Sequence, residues 1–452
     1  MPDKKPPTPL PPLPNWAPDW QKQGQQHVWL PYAQMQNTSP PLAAQSAAGA
    51  RIKLHNGEEL IDGVSSWWTA AHGYNHPHIN QAITDQMADF SHLMLGGFAS
   101  EPAYRLATRL SEKLPGDLNH VFFTESGSVS VEVALKMAIQ FFQNQGQGQK
   151  NKIISFMGGY HGDTLGTMAI CDPEEGMHSM FDGVLPEQFV LPVPTDEEHQ
   201  AAFKTFLNDH ADSCAAIVIE PLVQGAGGFK AHSPAVLQFL RDCADEHDLM
   251  LIFDEIMTGF GRLGRYANNE DNGGDTDSLF VCGQTGVVPD IITLSKALTG
   301  GTLPLAATIA TGRIFEGFMS EEPGKELMHG PTFMGNALSC AAANASLDLF
   351  EQEDRLGQVD HIAAQLDTHL SALSDLPHIV DIRVMGALGV IEVDEMRALN
   401  DLKARFVEQG VWIRPFGKVI YVMPPMIISD DDLGYLLDVF VRTVTDWTAA
   451  KI

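Results

Sequence analysis

The chain reads IITLSKALTGG at residues 291–301, where an apolar, strand-like run ends at Lys296 and opens into a glycine-rich turn. An amine at the end of a buried strand loses solvation, which lowers its pKa. A neutral amine can condense with a carbonyl to form a Schiff base. The same sequence also fits a surface lysine at the end of a strand. Other segments of the chain must therefore decide between a buried, reactive lysine and a surface lysine.

Short apolar runs alternate with longer helical patterns through the middle of the chain. This alternation predicts an α/β fold with a parallel sheet whose two faces are covered. In such a sheet, active residues lie at the carboxyl ends of strands, which is where Asp254 and Lys296 fall. The predicted strands lie at 121–123, 153–156, 215–219, 249–253 and 291–294, and the predicted helices include 129–142 and 233–247.

The two ends of the chain differ from this middle part. Residues 1–18 are rich in proline and predict an extended tail. Residues 51–62 predict a hairpin because Asn56-Gly57 supplies the positive φ of a tight turn. After the tail we expect a segment of a small domain at 19–64, a large domain at 65–350, and the remainder of the small α+β domain at 351–452.

Composition and net charge limit the kinds of molecule that the protein is expected to bind. The formal net charge of −29 argues against nucleic acid and against anionic membrane surfaces, since both require clustered Lys and Arg. Five scattered cysteines without a disulfide-framework spacing indicate a reducing compartment. No secretory signal or membrane-spanning run is recognisable, so we expect a cytoplasmic protein.

Three further segments carry candidate chemistry. Asp254 ends the apolar run 251–253, and a buried carboxylate there can stay ionised beside a cation, although it could equally cap the next helix. The segment Ser126-Gly127-Ser128 precedes a helical pattern, which suits a phosphate cradle or an ordinary N-cap. Tyr160 follows a strand in a glycine-rich exit, where it could cover a planar ring or be a plain loop residue.

Taken together, these segments resemble the ω-aminotransferase branch of the fold-type-I pyridoxal-phosphate enzymes. The resemblance implies an α/β fold with a large, mostly parallel-sheet domain and a smaller α+β domain. It also implies pyridoxal 5'-phosphate as cofactor and a homodimer with shared active sites. The matching motifs are Ser126-Gly127-Ser128, Tyr160-His161-Gly162, Asp254-Glu255, Lys296 and Gly330-Pro331-Thr332-Phe333.

Other motifs are similar to those members of the branch that make 7,8-diaminononanoate in biotin synthesis. This closer resemblance implies S-adenosylmethionine as amino donor and 8-amino-7-oxononanoate as acceptor. The alternative is another ω-aminotransferase that uses lysine, a diamine or another amine donor. The motifs are His27-Val28-Trp29-Leu30-Pro31-Tyr32, Ser65-Ser66-Trp67-Trp68, His72-Gly73-Tyr74-Asn75-His76-Pro77, residues 330–343 and residues 410–418.

The resemblance also implies roles for individual residues. Lys296 and Asp254 would be catalytic, with Lys296 joined to the cofactor and moving a proton, and Asp254 holding the ring nitrogen protonated. Thr332 would reach the cofactor phosphate of the neighbouring subunit, and Arg414 would pair with a substrate carboxylate. The expected cofactor-binding residues are Gly127, Ser128, Tyr160, Asp254, Lys296, Pro331 and Thr332. The expected substrate-binding residues are Tyr32, Trp67, Tyr160, Lys296, Gly330 and Arg414, and no metal site is expected.

Two more features accompany the resemblance. Glu220 and Arg262 match family positions, and we expect them to form a structural ion pair near the site. Residues 268–277 are acidic and glycine-rich and form a longer stretch than the family pattern predicts. That composition indicates a surface loop, which could alter access to the site.

Overall fold

A seven-stranded sheet forms the centre of the protein in the computed structural model, which describes residues 10–173, 179–181, 183–265 and 274–450. Within these residues the strands are, in chain order, β1 (Ala44–Ala48), β2 (Arg51–Leu54), β3 (Glu59–Asp62), β4 (Leu118–Thr124), β5 (Lys152–Phe156), β6 (Phe189–Leu191), β7 (Cys214–Ile219), β8 (Val223–Gln224), β9 (Lys230–Ala231), β10 (Met250–Asp254), β11 (Ile291–Leu294), β12 (Ala306–Thr311), β13 (Ile379–Met385), β14 (Leu388–Val393), β15 (Val411–Trp412) and β16 (Val419–Val422).

Helices cover the sheet and build the rest of the described chain. They are α1 (Asp19–Gly24), α2 (Ser65–Trp68), α3 (Pro77–Asp89), α4 (Glu101–Lys113), α5 (Gly127–Asn144), α6 (Leu165–Met168), α7 (Glu197–His210), α8 (Pro234–Glu246), α9 (Val281–Thr285), α10 (Gly312–Glu316), α11 (Ala337–Gln352), α12 (Arg355–Leu370), α13 (Leu399–Glu408) and α14 (Asp430–Ala449). Short 3-10 helices lie at Ser179–Phe181, Ala211–Ser213, Lys296–Thr299 and Ser371–Leu373.

The central sheet is mixed but mostly parallel. Its strand order is β4-β12-β11-β10-β7-β5-β6. Only β12 runs against its neighbours, being antiparallel to both β11 and β4, whereas the other pairings are parallel. The expectation of an α/β fold with a mostly parallel sheet is therefore confirmed, and β12 is the antiparallel member of that sheet.

The strand composition explains why this sheet is covered on both faces. Every residue of β7, β10 and β11 is buried, and these strands are built almost entirely from aliphatic and small residues. Such continuous apolar runs are typical of strands packed between two helical layers. The predicted strands at 153–156, 215–219 and 291–294 match β5, β7 and β11 closely.

Two smaller sheets join the ends of the chain. The predicted hairpin is confirmed, since β2 and β3 pair antiparallel with Arg51 opposite Ile61. Strand β15, from near the end of the chain, adds parallel to β3 and places Trp412 opposite Asp62. Strands β13, β14 and β16 form a separate antiparallel sheet. The domain boundaries at 64 and 350 stay predictions.

Some of the predicted features fall outside the described residues. They are positions 1–9 of the proline-rich tail and positions 268–273 of the acidic stretch. Among the helices that the structure does describe, none combines the length and the apolar character needed to cross a bilayer.

Candidate active site

One edge of the central sheet gathers the candidate residues, because the carboxyl ends of its parallel strands meet there. Strand β10 ends at Asp254, and Lys296 lies two residues beyond the end of β11. Ser126 follows β4, and Tyr160 follows β5 at the same edge. Glu220 comes directly after β7. The topology thus brings together side chains that are far apart in sequence.

Lys296 opens a 3-10 turn in a strained backbone conformation, with a φ of 42°. Its amine lies over the face of the Trp68 ring, 4.4 Å from the ring centroid. Burial lowers the pKa of this amine below its usual range, and the charge of Arg262 acts in the same direction. The carboxylates of Asp254 and Glu220 partly offset that shift. The sequence-based expectation of a dehydrated strand-end amine is confirmed.

Asp254 is buried, and its carboxylate has three hydrogen-bond partners. One carboxylate oxygen lies 2.8 Å from Nδ1 of His161, and the other accepts from the Ile256 amide and the Thr293 hydroxyl. Burial works against the charged form of His161, but the hydrogen bond and charge of Asp254 raise its pKa above the usual value. The two side chains thus form a buried, hydrogen-bonded pair at the strand end.

His161 is a functional candidate that the sequence reasoning did not single out. It appears only as part of the Tyr160-His161-Gly162 motif, with no role of its own. Its partner Asp254 is distant in sequence, so no local pattern reveals the contact. Only the position of His161, directly after the aromatic candidate Tyr160 at a strand exit, could have drawn attention to it.

The residues of the predicted cradle lie at the start of α5. Ser126 caps the helix by accepting from the Val129 amide at 3.4 Å, and the Ser128 hydroxyl accepts from the Asp163 amide at 3.2 Å. Gly162 has a φ of 131°, and a Cβ on it would lie 2.6 Å from Ser128 Cβ, so the two loops approach as closely as glycine permits. Free amides at the N-terminus of an 18-residue helix suit a phosphate group.

Two tyrosines form a hydrogen-bonded chain beside this cradle. The hydroxyl oxygens of Tyr32 and Tyr160 lie 3.1 Å apart, and both hydroxyls donate to Asp163, at 2.5 and 3.0 Å. Burial raises the pKa of Tyr32 to about 12 and that of Tyr160 further, so both remain protonated donors. Two expected substrate residues, from the N-terminal segment and the large sheet, thus meet directly.

The paired tryptophans belong to a left-handed turn. All four residues of α2, Ser65–Trp68, have a positive φ, between 47° and 72°. None is glycine, and each such residue costs about 1–2 kcal/mol. The buried Asp62 carboxylate stabilises the turn by accepting from the Val64 and Ser66 amides at 2.8 and 3.2 Å. The Tyr74 hydroxyl also donates to Asp62, at 2.6 Å.

The other end of this turn is fixed by a buried arginine. Arg262 donates to the carbonyl oxygens of Trp68 at 3.0 Å and Pro424 at 3.4 Å, while the Ser65 hydroxyl donates to the carbonyl oxygen of Met423 at 2.7 Å. These contacts tie the turn to the segment that follows β16. The turn is therefore a rigid link between the large sheet and the C-terminal part of the chain.

Two of the expected substrate residues, Arg414 and Trp67, contact each other. The guanidinium carbon lies 4.6 Å from the centroid of the Trp67 ring. Trp67 exposes 41% of its surface, whereas the neighbouring Trp68 is buried against Phe229 and Tyr421. A half-buried guanidinium on an exposed indole is available to a ligand carboxylate.

Residues 330–332 are not brought to this site within the chain. Gly330 and Thr332 are exposed, and the carbonyl oxygen of Thr332 lies 3.0 Å from Nε2 of His92. In the described residues, no hydrogen bond or ring contact connects Gly330, Pro331 or Thr332 with Lys296 or Asp254. Their expected roles stay predictions.

The expected ion pair between Glu220 and Arg262 is wrong. Glu220 accepts from the amides of Tyr160 at 3.0 Å and Gly225 at 2.8 Å, so backbone donors occupy both of its oxygens. Arg262 instead donates to the carbonyl oxygen of Trp68 in the left-handed turn and to that of Pro424. Burial lowers the pKa of Arg262 to about 10, and the charge of Asp62 partly offsets that shift.

The model of the family described as "Aminotransferase class-III" matches residues 32–444. The chain belongs to the class-III aminotransferase family. It is 43% identical to the adenosylmethionine-8-amino-7-oxononanoate aminotransferase of Mycobacterium leprae, over 92% of this chain and 94% of that protein. The protein of the same name from Corynebacterium glutamicum is 40% identical over 91% and 95% of the two chains.

Solved structures agree with this assignment. The crystal structure of adenosylmethionine-8-amino-7-oxononanoate aminotransferase from Methanocaldococcus jannaschii superposes with a TM-score of 0.87 at 30% identity, covering 96% of this chain and 99% of that one. An (S)-enantioselective omega-transaminase from Thermomicrobium roseum gives a TM-score of 0.85 at 26% identity, with 96% and 98% covered. The fold is therefore that of the fold-type-I aminotransferases, as expected from the sequence.

This aminotransferase depends on pyridoxal phosphate, and its own residues fit that cofactor. A lysine with a lowered pKa lies at the sheet edge, a buried carboxylate lies on the neighbouring strand, and a helix N-terminus with close-packed glycines lies beside them. These are the groups that a carbonyl, a ring nitrogen and a phosphate each require. Within the described residues no group of three or more side chains could hold a metal ion.

Proposed function

We propose that the protein transfers an amino group from S-adenosylmethionine to 8-amino-7-oxononanoate, giving the 7,8-diaminononanoate needed for biotin synthesis. The observation that carries this proposal is the pair of adjacent tryptophans, because Trp68 faces the Lys296 amine and Trp67 faces the Arg414 guanidinium. The reactive amine and the carboxylate-binding cation thus lie against two consecutive tryptophans. The names of the relatives at 43% and 40% identity support the same reaction.

Lys296 and the residues around it would each have a distinct role in the reaction. Pyridoxal phosphate, when bound, accepts the amino group and delocalises the electron pair released at the substrate carbon. Lys296 would hold the cofactor and move the proton, a task helped by its lowered pKa. Asp254, paired with His161, would keep the ring nitrogen protonated. Gly127 and Ser128 would bind the phosphate, and Tyr160 would cover the ring.

Both substrates must then use one site in turn. Tyr32 and Trp67 would form the walls along the alkyl chain of the acceptor, and Arg414 would bind its carboxylate through two parallel hydrogen bonds. Because the Tyr32 hydroxyl contacts that of Tyr160, the substrate wall and the cofactor wall are continuous. This continuity suits a reaction in which the second substrate replaces the first beside the same ring.

The active form is proposed to be a homodimer with shared sites. Thr332, with Gly330 and Pro331 shaping its loop, would reach the cofactor phosphate of the neighbouring subunit. Exposed apolar side chains around this loop support a subunit contact there: Leu93, Met94, Phe98, Met328 and Phe333.

Mixed dimers test the shared site. Dimers reconstituted from Lys296→Met and Thr332→Asp subunits should contain one site in which both residues are wild type, so activity should return on mixing. If Thr332 serves its own subunit, every site in the mixed dimer lacks one residue and no activity returns. Sedimentation of the wild-type protein provides the oligomeric state.

A cytoplasmic location is also part of the proposal. All five cysteines are free and buried in the structure. Unpaired thiols are typical of proteins that work in a reducing compartment. Fractionation of cells with a specific antibody would test this, and recovery from an extracellular fraction would contradict it.

The reaction is tested by separate half-reactions. Holoenzyme is mixed with S-adenosylmethionine, lysine or 1,4-diaminobutane, and the visible absorbance of the bound cofactor is followed. S-adenosylmethionine should remove the band, and 8-amino-7-oxononanoate should restore it with formation of 7,8-diaminononanoate, identified by mass. Loss of the band with lysine but not with S-adenosylmethionine would contradict the donor, and failure of the acceptor to restore it would contradict the acceptor.

A further inference from the structure

A cavity of about 670 Å³ adjoins the active site on the side of Arg414. It is lined by the N-terminal segment after Leu30, by β2 and β3, and by helix α13. Most of its wall is aliphatic, with Leu54, Leu60 and Val407 among the contributors. Such a wall favours an alkyl chain over a polar ligand.

The cavity also contains two cations, Lys403 from α13 and Arg414. Both side chains are half-buried, and burial lowers the pKa of Lys403, with the charge of Arg414 adding to the effect. In the described part of the chain, the Arg414 guanidinium lies over the Trp67 ring, and neither Arg414 nor Lys403 has a hydrogen bond or an ion pair. Glu408 lines the same cavity, but it is exposed and forms no ion pair with either cation.

In the described residues Lys403 and Arg414 have no carboxylate partner, which is unusual for so acidic a chain. It has 57 acidic and only 28 basic residues, so carboxylates are the more abundant partners for any cation. Two like charges in a partly dehydrated wall repel each other, and the repulsion is relieved when an anion binds between them. A carboxylate has two oxygens and can accept from both cations at once.

Two contacts connect this cavity to the reacting amine. Tyr32, which lines it, lies 3.1 Å from Tyr160 at the cofactor cradle. Arg414, which also lines it, lies on Trp67, next to the Trp68 ring that faces Lys296. An acceptor whose oxo group lies beside Lys296 can therefore extend along an aliphatic wall to the two cations.

We propose that Lys403 and Arg414 together bind the carboxylate at the far end of the acceptor, so that Lys403 is a specificity-determining residue for aliphatic oxo-carboxylates. The identity of the acceptor rests on the proposed function, but the carboxylate site itself does not. The donor S-adenosylmethionine carries its carboxylate on the carbon that bears the reacting amine, whereas the carboxylate of the acceptor lies at the far end of its alkyl chain from the oxo group. Lys403 therefore acts in the acceptor half-reaction and leaves the donor half-reaction unchanged.

Nonanoate serves as a non-reacting probe of the site. Its binding to the holoenzyme is measured by calorimetry for the wild type and for Lys403→Met, which keeps the length of the side chain and removes the charge. The variant should bind about tenfold more weakly, the loss expected for one charge-assisted hydrogen bond. Lys403→Arg, which keeps the charge, should stay within about threefold of the wild type.

Lys53→Met is the matched control. Lys53 lies on β2 between Ile52 and Leu54, which both line the cavity, but it is exposed and points to the opposite face. It changes the net charge by the same amount and should leave nonanoate binding unaltered. Equal binding by wild type and Lys403→Met, or no binding by the wild type, would overturn the proposed site.

The half-reactions separate this inference from the proposed function. With Lys403→Met, the acceptor concentration for half-maximal rate should rise about tenfold, and the donor half-reaction should stay within about twofold. An equal loss in both half-reactions would contradict a role in the acceptor step. If the wild type rejects 8-amino-7-oxononanoate yet binds nonanoate through Lys403, the proposed reaction fails and the carboxylate site stands.

Discussion

The side-chain nitrogen of Lys296 lies 4.4 Å from the centroid of the Trp68 ring, directly over its face. A cation over an indole gains about 0.5–2 kcal/mol, which opposes the loss of charge that burial favours. The protonated amine is thus held against the face of Trp68. The Arg414 guanidinium lies over the Trp67 ring in the same way. The two consecutive tryptophans therefore set the separation between the amine and the carboxylate-binding cation.

Lys296→Met should remove the visible absorbance of bound cofactor and lower turnover by at least about a thousandfold, because no other amine lies at that position. Borohydride treatment of the wild type should add the mass of the reduced cofactor to the peptide containing Lys296. Lys53→Met, an exposed control, should keep both properties. Cofactor attachment at any other lysine would refute the assignment.

Asp62→Ala should destabilise the protein by roughly 3 kcal/mol and lower activity as well. The substitution leaves the Val64 and Ser66 amides without their acceptor and frees the left-handed turn. Chemical denaturation and the acceptor half-reaction measure the two effects. Glu59→Ala removes an exposed carboxylate from the same strand and should change stability by less than about 0.5 kcal/mol. Similar losses in both variants would mean that the turn does not depend on Asp62.

Gly162→Ala should weaken cofactor binding by more than about tenfold. Its φ of 131° strains any side chain, and the added Cβ would meet Ser128 Cβ at 2.6 Å and Cα at 2.8 Å, forcing the cradle apart. Equilibrium dialysis of the cofactor provides the measurement. Gly148→Ala, where nothing lies within 4 Å of the new atom, should bind normally.

Stability should fall between pH 6.5 and pH 4 because of His232. Burial lowers the pKa of this imidazole to about 4, and its Nε2 accepts from the Leu222 amide, which requires the neutral form. The unfolded chain binds a proton below pH 6.5 while the folded chain does not, so acid favours unfolding, by roughly 3 kcal/mol at pH 4.

Unfolding curves across this pH range test the linkage. His232→Gln can still accept from Leu222 but does not titrate, so its stability should change less steeply with pH than that of the wild type. His55→Gln, at an exposed position, should keep the wild-type slope. Parallel pH profiles for the wild type and His232→Gln would exclude this histidine as the cause.

The sequence predicted the parts of the fold that depend on local pattern. Continuous apolar runs predicted β7, β10 and β11 because strands buried on both faces contain few polar residues. The strand β12 was missed, since its Ala-Ala-Thr-Ile-Ala-Thr composition is weakly apolar and lies outside the β-α alternation. Its antiparallel direction has no local signature at all.

The site likewise contains features that a local sequence pattern predicts and features that depend on tertiary packing. Lys296 and Asp254 were found because each ends an apolar strand, and that position places them at one edge. The contact of His161 with Asp254 and the use of Arg262 by the left-handed turn depend on tertiary packing. Four successive positive φ values at Ser65–Trp68 could not be foreseen, since serine and tryptophan carry no preference for that conformation.

The pairing of β3 with β15 has a consequence for synthesis of the chain. Ile61 emerges from the ribosome early, yet its partner Val411 comes near the end. Until then the hairpin presents an unpaired strand edge, which is prone to associate with other chains. Completion of this sheet must therefore be among the last folding steps, and chains that stop before residue 411 should aggregate rather than accumulate as a stable intermediate.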